Sequence, residues 1–451
     1  MIVHPKYIFY LFLLLSILSS EPFTIKPLIF INHSSNGNDW VYDNEPITNF
    51  GAGFNLFFTN QLWTIEAQYI QLGFLGKINN ELYEFSDIKS LSYLDESKDA
   101  DGYWNEKVKA KIIYNTNSMQ FVFGIFDRKW GYGNRAIHIS DKPPSYPQFG
   151  IKWNIRENLN FTYFHGFLNS GIVDSGRATL YENHISKRSF NISRNISAHR
   201  IEWIPIKKIS ICLNETVIYA SRDIDIHYLI PIAPFYPIEN YLGDTDNLQI
   251  GLDLLYSFSK KQKIYCSFFM DELTPEWLFK EKNHNWFGWQ FGYKNNNLIF
   301  NNSNFLLEYN WTDQRIYKHK YAINDYYSHG QPLGFWAGPH AEELLIHYLI
   351  PLKNNFIELN YSYTKRGLIS YEIIESHYND TYKERYSEGF EKRNFLNLRL
   401  IIQSKSINNL KYIVGGNNAI FDNAGFTSSS NGINTNKYSF EFGAYYNFVY
   451  P

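Results

Sequence analysis

From Lys437 to Tyr450, every second position of the chain carries an apolar or aromatic side chain. One face of this segment holds Tyr438, Phe440, Phe442, Ala444, Tyr446, Phe448 and Tyr450, and the positions between them are mostly polar. Because successive side chains of a β-strand point to opposite sides, this alternation predicts one strand with an apolar face. The segment is longer than most strands of globular proteins, and a tilted strand crosses a bilayer in roughly 9–11 residues. It therefore predicts a membrane-spanning strand of a β-barrel.

Similar alternation recurs along the chain, interrupted by turn-rich stretches. Leu252 and Leu254, for example, flank Asp253. Charges between apolar positions are expected where alternate side chains face lipid and a polar lumen. The predicted strands cover residues 50–59, 62–72, 108–115, 119–126, 149–155, 159–167, 199–205, 209–220, 248–258, 263–270, 286–294, 305–309, 343–349, 355–363, 395–403, 410–415 and 437–450.

These seventeen segments are one short of an even number. Single-chain bacterial barrels have even strand numbers, so we predict an all-β fold, a transmembrane antiparallel β-barrel of 18 strands, with 16 as the alternative. The missing strand is expected at 25–31 or within 316–338. Because a closed sheet has no free edge, the last strand is expected to pair with a strand near the N-terminus.

The connections between predicted strands come in two sizes. Short ones, such as 115–118 and 260–262, fit tight periplasmic turns. Long ones, such as 168–198, 222–247 and 366–394, fit extracellular loops or inserts into the lumen. A soluble β-sandwich or a propeller is the alternative fold. Neither explains the strand lengths together with the N-terminal segment, and no propeller-type repeat is present.

Composition supports the barrel. Aromatic residues make up 18% of the 451 residues, yet the mean hydropathy is only −0.35. A helical membrane protein would be far more hydrophobic, because each span needs about 20 mostly apolar residues. Alternation of lipid-facing and lumen-facing residues keeps the average low in a barrel. One barrel domain is expected over residues 21–451.

Residues 1–20 are predicted to be a secretory signal peptide. His4 and Lys6 precede an apolar run over 7–18, and Ser19 and Ser20 are small residues near a cleavage site. The run is too short for a comfortable transmembrane helix, and elsewhere nothing approaches about 18 uninterrupted apolar residues. Export without a stop-transfer helix, together with the strand pattern, predicts the bacterial outer membrane as the destination.

Charge and chemical motifs exclude several function classes. The formal net charge of −2, without a basic stripe, argues against a nucleic-acid partner. Cys212 and Cys266 are expected to be free buried thiols, and a disulfide is the alternative if their strands are neighbours. The chain lacks G-x-S-x-G, P-loop, H-E-x-x-H and zinc-type cysteine motifs, so no catalytic residue, cofactor or metal site is predicted.

Tryptophans near and within the long loops allow two interpretations. Aromatic faces stack on sugars, so these residues could contact carbohydrate. Alternatively, they form the interfacial girdles or the core that such barrels need, and this second interpretation is favoured. The residues concerned are Trp277, Trp286, Trp289, Trp311 and Trp336.

A series of short motifs follows in order between residues 130 and 341. They are Trp130-Gly131-Tyr132-Gly133, Ile139-Ser140-Asp141, Pro143 to Pro147, His199 to Trp203, Asn214-Glu215, Ile218 to Asp223, Tyr228 to Pro231, Pro234-Phe235-Tyr236, Asp246-Asn247, Phe268 to Asp271, Glu308-Tyr309, Tyr327 to Gly334 and Gly338 to Ala341. In this series the chain resembles the Wzi-type capsule assembly family of outer-membrane proteins. The resemblance rests on the order of the motifs, since each one alone is short.

The resemblance implies an 18-stranded outer-membrane barrel that binds or anchors capsular polysaccharide at the cell surface without catalysis. We also expect contact with outer-membrane lipid and lipopolysaccharide and a monomeric state, and we expect the terminal strand to present the signal for insertion by the barrel assembly machinery. The chain departs from the family in two respects. No helical insert is evident among its loops, and it ends in Tyr450-Pro451 where assembly signals usually end in an aromatic residue.

Polar and charged side chains within these motifs, with one tryptophan, are the candidate site residues. They are Arg200, Glu202, Arg222, Asp223, Asp246, Asn247, Asp271 and Trp336. A charge on the lipid face costs a few kcal/mol near the membrane midplane, so the charged residues are expected to face the lumen or lie at its rims. They are interpreted either as polysaccharide contacts or as an Arg–carboxylate network that seals the lumen, and the network is favoured.

Two other functions compete with polysaccharide binding. A porin-like channel for solutes or glycans would have a water-filled lumen and would conduct ions in planar bilayers. An outer-membrane hydrolase, the less favoured alternative, would need a nucleophile or a pair of carboxylates near a histidine at the rim, which sequence spacing does not reveal.

Overall fold

Eighteen consecutive antiparallel strands close into a barrel. The computed structural model describes residues 23–36, 46–76, 87, 89, 95–96, 102–177, 182, 185, 188–271, 285–378 and 383–448, so the predicted signal peptide lies outside the described residues. The barrel strands are β1 (Thr24–Ser34), β2 (Ile47–Thr59), β3 (Trp63–Leu75), β4 (Gly102–Asn115), β5 (Met119–Phe126), β6 (Tyr146–Arg156), β7 (Leu159–Val173), β8 (Asn191–Ile206), β9 (Ile209–Ala220), β10 (Asn247–Ser257), β11 (Gln262–Asp271), β12 (Trp286–Asn295), β13 (Asn304–Thr312), β14 (Ala341–Leu352), β15 (Asn355–Gly367), β16 (Phe390–Gln403), β17 (Leu410–Ala424) and β18 (Ile433–Tyr446). In the described part of the chain, no helix is long and apolar enough to cross a bilayer.

The first and last strands close the barrel, which confirms the predicted pairing. β18 pairs with β17 on one side and with β1 on the other, from Tyr446 opposite Ile29 to Glu441 opposite Ser34. The predicted two-faced pattern of this strand is also confirmed. Phe440 is 77% exposed on the outside, whereas Glu441 is only 5% exposed, which places it in the lumen.

All seventeen predicted segments overlap barrel strands, and β1 supplies the eighteenth at the first of the two expected places. The other place, 316–338, contains no barrel strand; it holds a 3₁₀ helix (Ala322–Asn324) and a two-residue ladder between Tyr327–Ser328 and Gln331–Pro332. The last strand is shifted toward the N-terminus relative to the prediction and covers Ile433–Tyr446. Its first two outward positions, Asn434 and Asn436, are polar, which explains why the apolar alternation did not predict this part of the strand.

Short connections gather at one end of the barrel, here called the turn end, and include 157–158 and 207–208. The opposite end, here called the loop end, carries long connections. Three of them matter below: lumen segment A (127–145), the outer segment (221–246) and lumen segment B (313–340). This separation of short and long connections is typical of outer-membrane barrels, in which the long loops are extracellular.

The expectation that the loops contain no helical insert is wrong. Two helices of eight residues each occur at the loop end, α1 (Phe235–Leu242) in the outer segment and α2 (Tyr371–Tyr378) between β15 and β16. α1 ends at Gly243, whose φ of 101° is the left-handed conformation common after helix C-termini. Two turns of helix are too short to produce a clear 3.6-residue periodicity, which explains why the pattern missed them.

Candidate functional site

Lumen segment A crosses the inside of the barrel and is held at β13 by a buried carboxylate. Glu308, fully buried, accepts the backbone N–H groups of Asn134 and Arg135 at 2.7 and 2.8 Å. The hydroxyl of Tyr265 donates to the same carboxylate at 2.5 Å. A buried carboxylate is tolerated only when hydrogen bonds replace its hydration, and here the segment's own backbone supplies two of them.

A second buried carboxylate, Asp253 of β10, holds the same segment at its middle. Arg200 of β8 donates to Asp253 Oδ2 at 2.6 Å, and Ser267 donates to Oδ1 at 2.5 Å. His138 of lumen segment A places its Nε2 3.1 Å from Oδ1. A side chain at Gly251 would collide with the His138 ring, since an added Cβ would lie 2.1 Å from its Cε1. Glycine at this wall position therefore makes room for the segment.

Lumen segment B is held by the backbone groups it presents to the wall. Arg194 of β8, only 1% exposed, donates to the carbonyl oxygens of Ala322, Ile323 and Tyr327 at 2.9, 2.6 and 2.8 Å. On the neighbouring wall, Asp271 accepts the backbone N–H of Tyr317 at 2.5 Å. A buried guanidinium with three carbonyl partners fixes an irregular segment in place, because each bond satisfies a group removed from water.

The two lumen segments meet in an apolar core inside the barrel. The N–H of Ser140 donates to the carbonyl of Leu333 at 2.7 Å, and the hydroxyl of Tyr317 donates to the carbonyl of Ile137 at 2.7 Å. The buried residues of this core include Trp130, Ile137, Ile139, Phe164, Ile196, Phe269, Trp286, Ile316, Leu333, Phe335 and Trp336. Protein therefore fills the lumen beside β7–β14, where an unplugged barrel of this size would hold water.

His340, at the end of lumen segment B, connects it to the loop between β15 and β16. Its Nδ1 lies 2.8 Å from the carbonyl oxygen of Leu368, and the backbone N–H of Tyr386 donates to its Nε2 at 3.0 Å. Both bonds can form only with a neutral ring that carries its proton on Nδ1. Burial lowers the pKa of His340 to about 4.

We expect His340 to make the barrel sensitive to acid. The pKa is lower in the folded state than the ordinary 6.5, so the unfolded state binds the extra proton between about pH 6.5 and 4. Stability is therefore lost as the pH falls through this range, by about 2 kcal/mol at pH 5. The difference in unfolding free energy between wild type and His340→Gln should change by this amount between pH 8 and pH 5. A difference that is the same at both pH values would contradict the role given to His340.

Below lumen segment A, on the side of the turn end, lies a cavity of about 390 Å³. Lys111, Gln120, Lys152 and Thr162 come from the turn-end halves of β4–β7, and Trp130 comes from lumen segment A. Because lumen segment A covers the cavity on the loop-end side, a ligand would reach it from the turn end.

The lining of this cavity is basic. Its charged members are Lys111, Arg128, Lys129, Lys152, Arg200 and Glu202. Lys111 is paired with Glu66 at 2.9 Å, and Arg200 is paired with Asp253. Lys152 is exposed and makes no ion pair among the described residues. Positive charge therefore exceeds negative charge at this site.

The arginine and tryptophan of the lining are held rigidly. Arg128 lies over the ring of Phe164 at 4.2 Å and donates from Nε to Gln148 at 2.7 Å. Burial lowers the pKa of Arg128 to about 10, so its guanidinium remains cationic at neutral pH. Trp130 packs edge-on against Phe164, with ring centroids 5.3 Å apart. Such a preorganised wall loses little side-chain entropy when a ligand binds.

The eight candidate residues from the sequence fall in three places, and no single site brings them together. Arg200 and Glu202 face the cavity. Asn247, Asp271 and Trp336 belong to the packing of lumen segment B: Asn247 donates to the carbonyl of Asn324 at 2.9 Å, and Trp336 is 4% exposed.

The remaining three candidate residues lie at the rim, in and beside the outer segment. Arg222 forms a two-bond pair with Asp246 at 2.6 and 2.8 Å, and Tyr228 donates to the same carboxylate at 2.7 Å. Asp223 is exposed. The placement of the charged residues in the lumen or at the rim agrees with the cost of charge on a lipid face. Contact of any of the eight with polysaccharide stays a prediction.

Sequence reasoning missed the residues that hold lumen segment A, namely His138, Asp253 and Glu308. Asp253 and Glu308 look like ordinary lumen-facing positions, since each is a carboxylate between apolar neighbours. Their partners are remote in sequence, and no local pattern indicates them. The sequence offered only one signal, a single carboxylate in each of the otherwise uncharged strands β10 and β13.

The other aromatic and thiol predictions have mixed outcomes. Trp286 and Trp336 are buried in the core, and Trp289 is 38% exposed on the outside, as the girdle-or-core interpretation predicts. Trp277 lies outside the described residues. Cys212 and Cys266 are both free, as predicted, but only Cys212 is buried and Cys266 is partly exposed; β10 separates their strands. In the described ranges no group of three or more potential metal ligands occurs.

Comparison with known proteins supports the fold. Neither a protein-family model nor a curated protein sequence matches the chain. Among solved structures, it is similar to Wzi of Escherichia coli, described as an outer-membrane protein involved in group 1 capsule assembly and a carbohydrate-binding β-barrel. The TM-score is 0.56 and the identity 11%, over 94% of this chain and 85% of that chain.

Two further solved structures match with lower TM-scores. Pseudomonas aeruginosa OccK1 has a TM-score of 0.48 and 10% identity over 94% of this chain and 98% of that chain. Acinetobacter baumannii OccAB2 has a TM-score of 0.48 and 8% identity over 94% of this chain and 97% of that chain. At such identities the similarity to Wzi establishes the fold: the chain is a closed outer-membrane-type β-barrel.

Proposed function

We propose that this barrel resides in the bacterial outer membrane, binds a polysaccharide of the capsular type from the turn-end side during capsule assembly, and does not catalyse a reaction on it. The basic cavity beneath lumen segment A carries the proposal. Carboxylates of acidic sugars match lysine and arginine, while Trp130 and Thr162 add an aromatic ring and a hydroxyl to the lining. Its volume of about 390 Å³ is within the usual range of small-ligand pockets, enough for a short part of a polymer.

The fold similarity to Wzi supports the same proposal, because that protein is described as a carbohydrate-binding barrel. The lining itself supports binding without catalysis. Glycoside hydrolysis generally uses two carboxylates on either side of the bond. Among the described lining residues, Glu202 is the only carboxylate, and it accepts hydrogen bonds from Ser210 and Asn160 at 3.1 and 3.3 Å.

Glycan binding by the purified full-length protein tests the proposal. We expect an array of acidic and neutral oligosaccharides to show binding of acidic glycans that weakens with added salt. Replacing Lys152→Ala removes one charge-assisted contact of about 1.5–3 kcal/mol and should weaken this binding roughly tenfold or more. Lys208→Ala, an exposed lysine in the turn 207–208, is the matched control and should bind like wild type. Absence of glycan binding, or equal loss in both variants, would contradict the proposal.

A further inference from the structure

The outer face of the barrel changes character halfway along β8 and β9. Near the turn end, outward side chains are apolar and exposed, with Leu213 at 55% and Trp203 at 47%. Toward the loop end, the outward positions include polar and charged side chains: His199 of β8 pairs with Glu215 of β9 at 2.7 Å. Both side chains are largely buried, at 14% exposure each. Something other than lipid therefore covers the wall here.

The outer segment provides this cover by folding against the outside of the wall. Tyr163 and Ser197 donate from their hydroxyls to the carbonyl of Tyr228 at 2.8 and 2.7 Å. The Glu215 carboxylate accepts the first two backbone N–H groups of α1, those of Phe235 and Tyr236, at 2.9 Å each. The outer segment also makes apolar contacts with the wall. In this cluster, Tyr228 and Phe235 of the segment pack with the wall residues Phe161, Tyr163, Val217, Tyr219 and Leu248.

The height of Glu215 on the wall places this cover at membrane depth. Glu215 lies six residues from Ile209, the turn-end residue of β9. At about 3.3 Å per residue and a tilt of about 40°, it stands roughly 15 Å above the lower edge of an apolar belt that is about 25 Å tall. On β16, at a similar distance from the turn end, the outward residues are still Leu398 and Leu396, 53% and 44% exposed. The outer segment thus occupies space that lipid fills elsewhere around the barrel.

The outside of the outer segment is mainly apolar, and its exposed acidic residues, Asp223 and Asp244, lie near its two ends, close to the rim. Its exposed side chains include Ile224, Ile226, Ile230, Ile232, Tyr236 and Tyr241. Ile226 and Ile232 are 71% and 76% exposed, which is unusual for isoleucine beside water. Arg222 and His227 are the only basic residues of the segment, and Arg222 is held by Asp246. The surface therefore matches acyl chains and offers little to lipid phosphate groups.

We propose that the outer segment is embedded in the membrane, with its isoleucines among the acyl chains of the leaflet at the loop end. The surface continues upward from the lipid-facing Ile201, Leu213 and Leu254, so one bilayer can cover both. On the inner side of the segment, Glu215 accepts backbone N–H groups of α1 and pairs with His199, whose ring packs against Phe235. The outer side of the segment presents apolar side chains to the lipid instead. The segment widens the lipid-facing surface of the barrel on one side, independently of any glycan bound in the lumen.

Spin labels on the full-length protein in phospholipid vesicles test this proposal. Ile226→Cys and Ile232→Cys are made in a background carrying Cys212→Ser and Cys266→Ala, and each receives a nitroxide. Phe440→Cys, at the exposed lipid-facing position of β18, is the lipid control. Ser429→Cys, exposed in the loop between β17 and β18, is the water control at the same end.

We expect the labels at 226 and 232 to resemble the label at 440: relaxed by dissolved oxygen, and severalfold less relaxed by a water-soluble nickel chelate than the label at 429. Relaxation by nickel equal to that at 429 would place the segment in water and overturn the proposal. Protection from both reagents together with dipolar broadening would show a second copy of the chain on this surface, and would overturn it as well. If either variant fails to fold, Tyr241→Cys, at a position 81% exposed, provides the same measurement.

Discussion

Replacing lumen segment A with a short turn is expected to open an ion-conducting pore through the barrel. Phe126 and Tyr146 stand directly opposite each other at the ends of β5 and β6, so a few glycine and serine residues can join them without straining the wall. An 18-stranded barrel is wide enough for an aqueous channel once its filling is removed. Asp253 and Glu308, which now bond to lumen segment A, would then face water and be hydrated.

Planar bilayer recordings measure this effect. Wild type is expected to show little stable conductance, and the shortened protein to show steady open levels. The matched control shortens residues 425–432 at the same end, where Ala424 pairs with Ile433, and should leave conductance at the wild-type level. A shortened protein that stays closed would refute the sealing role of lumen segment A. Large steady conductance of wild type itself would instead favour the porin-like function.

The strands were predictable because lipid and lumen impose opposite demands on alternate side chains. The strand prediction failed where another segment of the chain, instead of lipid or water, covers the wall. β8 was predicted over 199–205, yet it covers Asn191–Ile206. In its loop-end half, Arg194 faces lumen segment B, while Ser197 faces the outer segment. Polar residues are buried on both faces, so the two-residue alternation disappears although the strand continues.

The candidate site was predictable only in part. The ordered motifs between residues 130 and 341 include much of both lumen segments, because these segments need unusual combinations of glycine, proline and aromatic residues. The residues that hold the segments in place were not predictable. Glu308 bonds to Asn134 across 174 positions, and a contact of that kind leaves no periodic trace. Alternation in the sequence shows that a strand has two different faces, but it does not show what covers each face. It therefore could not predict that the lumen segments cover the inside of the wall and the outer segment covers its outside.

Removing the Asp253 carboxylate is expected to destabilise the barrel strongly. Asp253→Ala leaves the guanidinium of Arg200 and the ring of His138 beside an empty position in a buried region. Breaking a buried ion pair in this way typically costs about 3–5 kcal/mol, because the remaining charge keeps its desolvation penalty and loses its partner. Urea unfolding in vesicles, followed by tryptophan fluorescence, measures the loss.

Two further variants separate charge from packing. Asp253→Asn keeps the shape and should recover part of the stability, since an amide oxygen can still accept the bond from Arg200 but carries no charge. Asp422→Ala removes an exposed carboxylate that lies 3.6 Å from Lys392, and should cost no more than about 1 kcal/mol. Equal losses for Asp253→Ala and Asp422→Ala would show that Asp253 is not a principal support of lumen segment A. A large loss of unfolding free energy for Asp253→Ala alone, together with unsteady conductance in bilayers, would show that the stability of the barrel depends on lumen segment A.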